Sequence, residues 1–135
     1  MEHVFVSYEI AKKLKQKGFD EPCLAYYLDK KFIFFVLNIF EPIELTNSFY
    51  KEKTISVITT TPTYQQVIDW LFEKHNIWIT IENHQHSEPT NNLMRGFYFY
   101  IEQDGHCVVG RTEFGSFESQ YNALEEAIEQ ALKLI

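Results

Sequence analysis

The segment Glu82-Asn83-His84-Gln85-His86-Ser87-Glu88 gathers the side chains of this sequence best suited to chemistry. On an extended chain alternate residues project to one side, so Glu82, His84, His86 and Glu88 would share a face at roughly 6.5–7 Å between successive Cα atoms. Two imidazoles and a carboxylate at that reach can hold Zn²⁺, whose protein ligands are His nitrogen, Cys sulfur and carboxylate oxygen. An H-x-H pair still needs a rigid third ligand and an outer shell to orient its rings. The neighbouring Asn, Ser, Thr and Pro read more simply as a solvated loop over residues 82–92.

A second constellation is aromatic. If Phe97, Phe99 and Ile101 of one strand face a core, Tyr98 and Tyr100 lie on its other side, with Trp78 and Thr80 alongside and Arg95 and Arg111 at the flanks. Such a face suits packing against a protein or stacking on bases or sugars. It is equally well explained by a covering helix layer or by a homodimer that buries it. Lys12, Lys13, Lys15 and Lys17, with Lys30 and Lys31, form the one basic cluster, readable as a phosphate track or as a solvated helix face.

The remaining chemistry-bearing residues are isolated. His3, His75 and His106 have no partner near in sequence, and a histidine at a helix end, like His75, ordinarily compensates the helix dipole. Cys23 and Cys107 form no CxxC pair and read as buried structural thiols, with a disulfide between them left open. No serine sits in G-x-S-x-G, and the five glycines form no phosphate-binding loop. No catalytic residue and no cofactor is expected.

These side chains depend on elements whose signals are local. Ser7 can cap a helix that Gly18 ends, with Ile10, Ala11 and Leu14 inward. Residues 24–28 and 32–37, separated by Asp29-Lys30-Lys31, read as a hairpin, and the unbroken apolar second arm reads as a central strand. The pattern is lost between 38 and 53, and 53–61 has strand propensity. Thr63 and Gln66 match a capping box opening a helix whose inward stripe is Tyr64, Val67, Ile68, Leu71 and His75, with Asn76 as terminator. Residues 77–81 alternate with period two, placing three isoleucines on one face and Trp78 and Thr80 on the other. Residues 97–103 and 106–112 flank Asp104-Gly105, a type I′ turn signal. A last helix follows 115–119, with Tyr121, Leu124, Ile128, Ala131, Leu132 and Ile135 inward. The expectation is an α+β fold over a single domain, 1–135, with a mainly antiparallel sheet of about five to six strands and three helices in the order α-β-β-(β)-α-β-β-β-α.

At 135 residues and 45% hydrophobic composition, with 12 Phe, 8 Tyr and 2 Trp, the chain can bury a core. Its net charge is −7, and the surplus is confined to one half: residues 1–68 carry eight basic and eight acidic side chains, residues 69–135 four and eleven. Nucleic-acid binding is therefore disfavoured. The longest apolar run, near 32–40, falls well short of the ~20 residues that span a bilayer. Met1-Glu2-His3 opens no secretory leader, so the cytoplasm is the expected compartment.

Residues 7–23 (SYEIAKKLKQKGFDEPC), 62–71 (PTYQQVIDWL) and 121–134 (YNALEEAIEQALKL) resemble a family of small proteins of unassigned function from gut Bacteroidetes and their phages and mobile elements. The resemblance implies a phage or mobile-element accessory role and transfers no activity. The leading expectation is a small noncatalytic cytoplasmic binding module with an unidentified protein partner, a homodimer being one arrangement. The alternatives are a metal-binding or hydrolase-like protein built on Glu82, His84, His86 and Glu88, and a single-stranded nucleic-acid binder using Tyr98 and Tyr100 or the helix carrying Lys12 to Lys17.

Overall fold

A computed structural model describes residues 2–34, 46–48, 58–87, 93–111 and 113–135, with the backbone alone at 2, 84–87 and 93–95. The chain divides into two compact units, Met1–Val67 and Ile68–Ile135. Its class is α+β: three α-helices and two three-stranded antiparallel sheets stand among the described residues, where one larger sheet was expected.

In the first unit a short 3-10 helix, Glu2–Val4, precedes α1 (Tyr8–Gln16). The Ser7 hydroxyl accepts the Ile10 N–H at 3.4 Å, occupying one of the donors a helix start leaves open. At the other end Gly18 takes a φ of 87°, and Phe19 and Gly18 donate back to the Leu14 and Lys15 carbonyls at 2.9 and 3.3 Å. That is the paired closure of a Schellman motif, and it turns Phe19 into the core beside buried Ile10, Ala11 and Leu14.

Strands β1 (Ala25–Leu28), β2 (Lys31–Phe34) and β3 (Ile58–Thr61) form a sheet of order β2-β1-β3. Leu28 pairs with Lys31, so the turn is the two residues Asp29 and Lys30, whose φ values of 49° and 65° suit a type I′ bend, and Lys31 belongs to the strand. The expectation of a central second arm is corrected for the described part: among the described residues β2 is an edge, and Phe34 is 40% exposed. Its apolar run is explained by aromatic neighbours, since the Phe32 ring lies 5.4 Å from Phe5 and 5.6 Å from Tyr27. Residues 35–37 of that arm lie outside the described residues, as do 53–57 of the expected third strand and most of 38–53.

β3 is buried along its whole length although three of its four residues are threonines. Burial of polar groups is tolerated where they find partners. Thr61 Oγ1 and the Tyr27 hydroxyl both donate to the Val6 carbonyl at 3.1 Å. Asn47 accepts the Thr60 N–H at 3.2 Å and donates to the Phe19 carbonyl at 2.9 Å, tying β3 to the end of α1, which packs against it.

Helix α2 (Tyr64–His75) opens on the expected reciprocal cap: Gln66 Oε1 accepts the Thr63 N–H at 3.0 Å and Thr63 Oγ1 accepts the Gln66 N–H at 3.2 Å. Val67, Trp70 and Leu71 are its buried residues; Tyr64, Ile68 and His75 are half-buried, so Trp70 replaces them in the expected stripe. Asn76 ends the helix with a φ of 53°.

In the second unit β4 (Ile77–Ser87), β5 (Leu93–Gln103) and β6 (His106–Val109) form a sheet of order β4-β5-β6. The Asp104-Gly105 turn has the expected positive φ values, 51° and 80°, and Gln103 pairs with His106. Asn76 fastens this turn, donating from Nδ2 to Asp104 Oδ1 at 2.8 Å while its carbonyl accepts the Asp104 N–H at 3.2 Å. β6 stops at Val109, short of the expected 112, after a register shift opposite Ile101 and Glu102. The chain then returns to β5 at Phe97, whose N–H and carbonyl exchange bonds with Phe117 at 2.9 and 2.8 Å. Gly96 permits this approach, because a Cβ there would stand 2.6 Å from Ser116 Cβ.

Helix α3 (Gln120–Leu132), capped by the Ser119 hydroxyl on the Asn122 N–H, packs on β4 and β5. It buries Ala123, Leu124, Ala127, Ile128, Ala131 and Leu132. Tyr121, expected inward, is 42% exposed, and Ile135 is half-buried. Among the described residues no helix is long and apolar enough to cross a membrane.

Candidate interaction surface

Alternation along β4 and β5 sorts the second sheet into two faces. Ile77, Ile79, Phe99 and Ile101 are buried on the side of α3. The other side carries Trp78, Thr80 and Glu82 from β4, opposite Glu102, Tyr100 and Tyr98 of β5 in register. Trp78 is 50% exposed, a large apolar area for a residue that would release about 25 cal/mol per Å² on burial. The Phe72 ring of α2, itself 40% exposed, lies 4.3 Å from it. Tyr98, Tyr100 and Thr80 are half-buried. The register therefore puts Trp78, Tyr98 and Tyr100 on one side of the sheet, where Arg111 meets Glu82 and Tyr100.

Arg111 reaches this face from the loop after β6. Its Nε lies 2.7 Å from Glu82 Oε2 and its Nη2 donates to Glu82 Oε1 at 2.9 Å, a two-point fork of the kind guanidinium and carboxylate planes favour. The same guanidinium stands 5.7 Å from the centroid of the Tyr100 ring. Arg111, Tyr100, Glu102 and Cys107 line an open pocket of about 260 Å³. Glu102 was not singled out in the sequence. Only the register with Trp78 on one side and Cys107 on the other reveals its place.

Residues 82–87, read as a loop, belong to β4. The ladder explains this: His84 pairs with Gly96 and His86 with Met94, so a neighbouring strand supplies the hydrogen bonds that composition does not reveal. Glu82, His84 and His86 thus occupy alternate positions of a strand. Both oxygens of Glu82 are nevertheless engaged by Arg111. The side chains of His84, His86 and Arg95, and all of Glu88, lie outside the described residues. Among those described, no three His, Cys, Asp or Glu side chains are grouped to hold a metal ion.

The two cysteines part company. Cys23 is buried as expected, its thiol donating to the Glu21 carbonyl at 3.4 Å. Burial, with Glu21 and Asp20 nearby and the Thr60 hydroxyl opposing, pushes it up to about 12. Cys107 is exposed, which corrects its reading as a buried thiol: β6 is an edge strand whose first three residues face water. Both are free. His3 and His106 are exposed, while the half-buried His75 ring packs edge-on to Trp70 at 4.7 Å.

The lysine cluster is less uniform than its sequence. Lys15 Nζ donates to the Ile58 carbonyl at 2.8 Å, and Lys30 Nζ stands 6.0 Å from the Tyr8 ring centroid. A hollow of about 510 Å³ is lined by Lys15, Gly18, Phe19, Asp20, Asn47 and Ser48. Its polar groups already serve the fold, since Asp20 accepts the Ser48 N–H at 2.7 Å and Asn47 bridges Phe19 and Thr60. Compared with protein-family models, curated proteins and solved structures, the chain matches none.

Proposed function

We propose that this chain is a noncatalytic binding module that docks a protein partner on the face of the second sheet bearing Trp78, Tyr98, Tyr100 and Arg111. The observation that carries this reading is Trp78, half exposed on the side of the sheet opposite α3 and continuous with Phe72 and the tyrosines. Large aromatics presented on a rigid ladder are the residues from which binding hot spots are built, because they bury much area at little entropic cost. The engaged Arg111–Glu82 pair favours protein contact over phosphate binding, since the guanidinium charge is already matched. We place this module in the cytoplasm, as an accessory protein of phages or mobile elements; the resemblance of residues 7–23, 62–71 and 121–134 supports that setting.

The test compares the full chain with Trp78→Ser and Tyr100→Ser variants whose melting temperatures match it. Immobilised, the native chain should retain a protein that both variants release. Equal retention by all three overturns the reading. Size exclusion with light scattering on the same samples identifies a second copy as the occupant if the mass doubles and the variants restore the monomer.

A further inference from the structure

The pocket near Trp78 carries one charge that is left unmatched among the described residues. Arg111 and Glu82 neutralise each other, whereas among the described residues no ion pair involves Glu102, which lies between the exposed Trp78 in register on β4 and Cys107 on β6. Directly cross-strand side chains stand about 4.5–5.5 Å apart at Cβ, so Trp78 neighbours Glu102 on this face, just outside the residues that line the pocket. Tyr100 lines the opening beside Glu102. A cation gains from both kinds of group, from the carboxylate by Coulomb attraction and from the ring face by its quadrupole. An anion would meet Glu102 directly.

The wider field has the same sign. The net charge of −7 resides wholly in residues 69–135, the part of the chain that builds this sheet. A basic ligand would be drawn toward it and an acidic one repelled. The pocket's volume of about 260 Å³ admits one long side chain rather than a folded element. We infer that the pocket formed by Tyr100, Glu102, Cys107 and Arg111 receives a lysine or arginine side chain from a basic segment of the partner protein, with the stem lying toward Trp78. This rests on the binding reading above and names the chemistry of its partner.

The probe is a dye-labelled, end-blocked peptide of alternating lysine and glycine, with the glutamate counterpart as control, titrated with the full chain and followed by fluorescence anisotropy. The lysine peptide should bind at low salt and the glutamate peptide should not. Glu102→Gln should weaken binding about fivefold, the scale of one exposed ion pair with a ring contact. Glu118→Gln, which removes the same charge from an exposed site of the same unit, should leave the affinity within about twofold if the pocket and not the bulk field is the receptor. Equal losses in both variants, or no binding of the lysine peptide, overturn the inference. Self-association of the chain that Glu102→Gln abolishes also overturns it, since the occupant is then a second copy. If the peptide fails while retention of a partner still depends on Trp78, this inference falls and the binding reading stands.

Discussion

The two sheets of this protein have the same number of strands and the same antiparallel pairing, yet they are stabilised differently. In the first, β3 is buried through Ile58, Thr59, Thr60 and Thr61; the Thr61 hydroxyl donates to Val6 and the Thr60 N–H to Asn47, while the Thr60 hydroxyl has no hydrogen-bond partner among the described residues. In the second, β4 and β5 alternate between a dry isoleucine and phenylalanine face and a wetter face of Trp78, tyrosines and carboxylates. In the first sheet the exposed apolar side chains, Leu28 and Phe34, lie on β1 and β2, away from buried β3. The second sheet packs α3 on its isoleucine and phenylalanine face and leaves Trp78 half exposed on the other. Charge follows the same division, balanced in residues 1–68 and wholly acidic in excess beyond them.

Five substitutions and one thiol-labelling experiment test that contrast, in descending order of effect. Truncating the apolar core should cost most: Leu14→Ala in the first unit and Ile128→Ala in the second each remove a fully buried side chain, and urea denaturation should show a loss of about 2–5 kcal/mol for each. Asn47→Ala should lower stability by about 1–3 kcal/mol for each buried group it orphans, the Phe19 carbonyl and the Thr60 N–H, in the same experiment. A cost below about 0.5 kcal/mol would show that the first sheet does not depend on its polar bridge.

Thiol chemistry separates the units without mutation. A disulfide reagent at neutral pH should label Cys107 in the folded chain and spare Cys23 until the protein unfolds. The raised pKa of Cys23 also fixes a pH trend. Its thiol ionises near 9.0 when unfolded and near 12 when folded, so above pH 9.0 the unfolded state binds fewer protons. The stability contributed by Cys23 is present below pH 9.0 and is lost as the pH rises toward 12, and Cys23→Ala should flatten that slope in denaturation midpoints. The smallest effect belongs to the open face. Arg111→Ala should change stability by less than about 1 kcal/mol, because Arg111 is 50% exposed and exposed pairs contribute little. A larger loss would make Arg111 a structural clasp rather than part of a surface.

The local elements were legible wherever a few neighbouring residues decide the outcome. Ser7 and Gly18 bound α1, Thr63 and Gln66 cap α2, Asp104-Gly105 turns β5 into β6, and the isoleucines of β4 face inward. Each depends on side chains reaching backbone groups within three or four positions, or on a φ angle that few residues adopt. The aromatic face was legible too, because period-two alternation assigns Trp78, Tyr98 and Tyr100 to one side once the strands are paired.

What sequence could not decide was pairing beyond the turns. An apolar run such as residues 32–37 reads as central, but the place of its described part, β2, at the sheet edge depends on which strands β1 accepts on either side. The polar residues 82–87 read as a loop because hydrophobicity is a poor guide to a ladder held by backbone bonds to β5. Cys107 is exposed because β6 is an edge, and Glu102 acquires its place only from register and a bulge. Composition and local spacing thus determined the helices, the turns and the identity of the outward aromatics. Long-range backbone pairing, whose hydrogen bonds carry no side-chain signature, decided the sheet order and brought Arg111, Tyr100, Glu102 and Cys107 around one pocket.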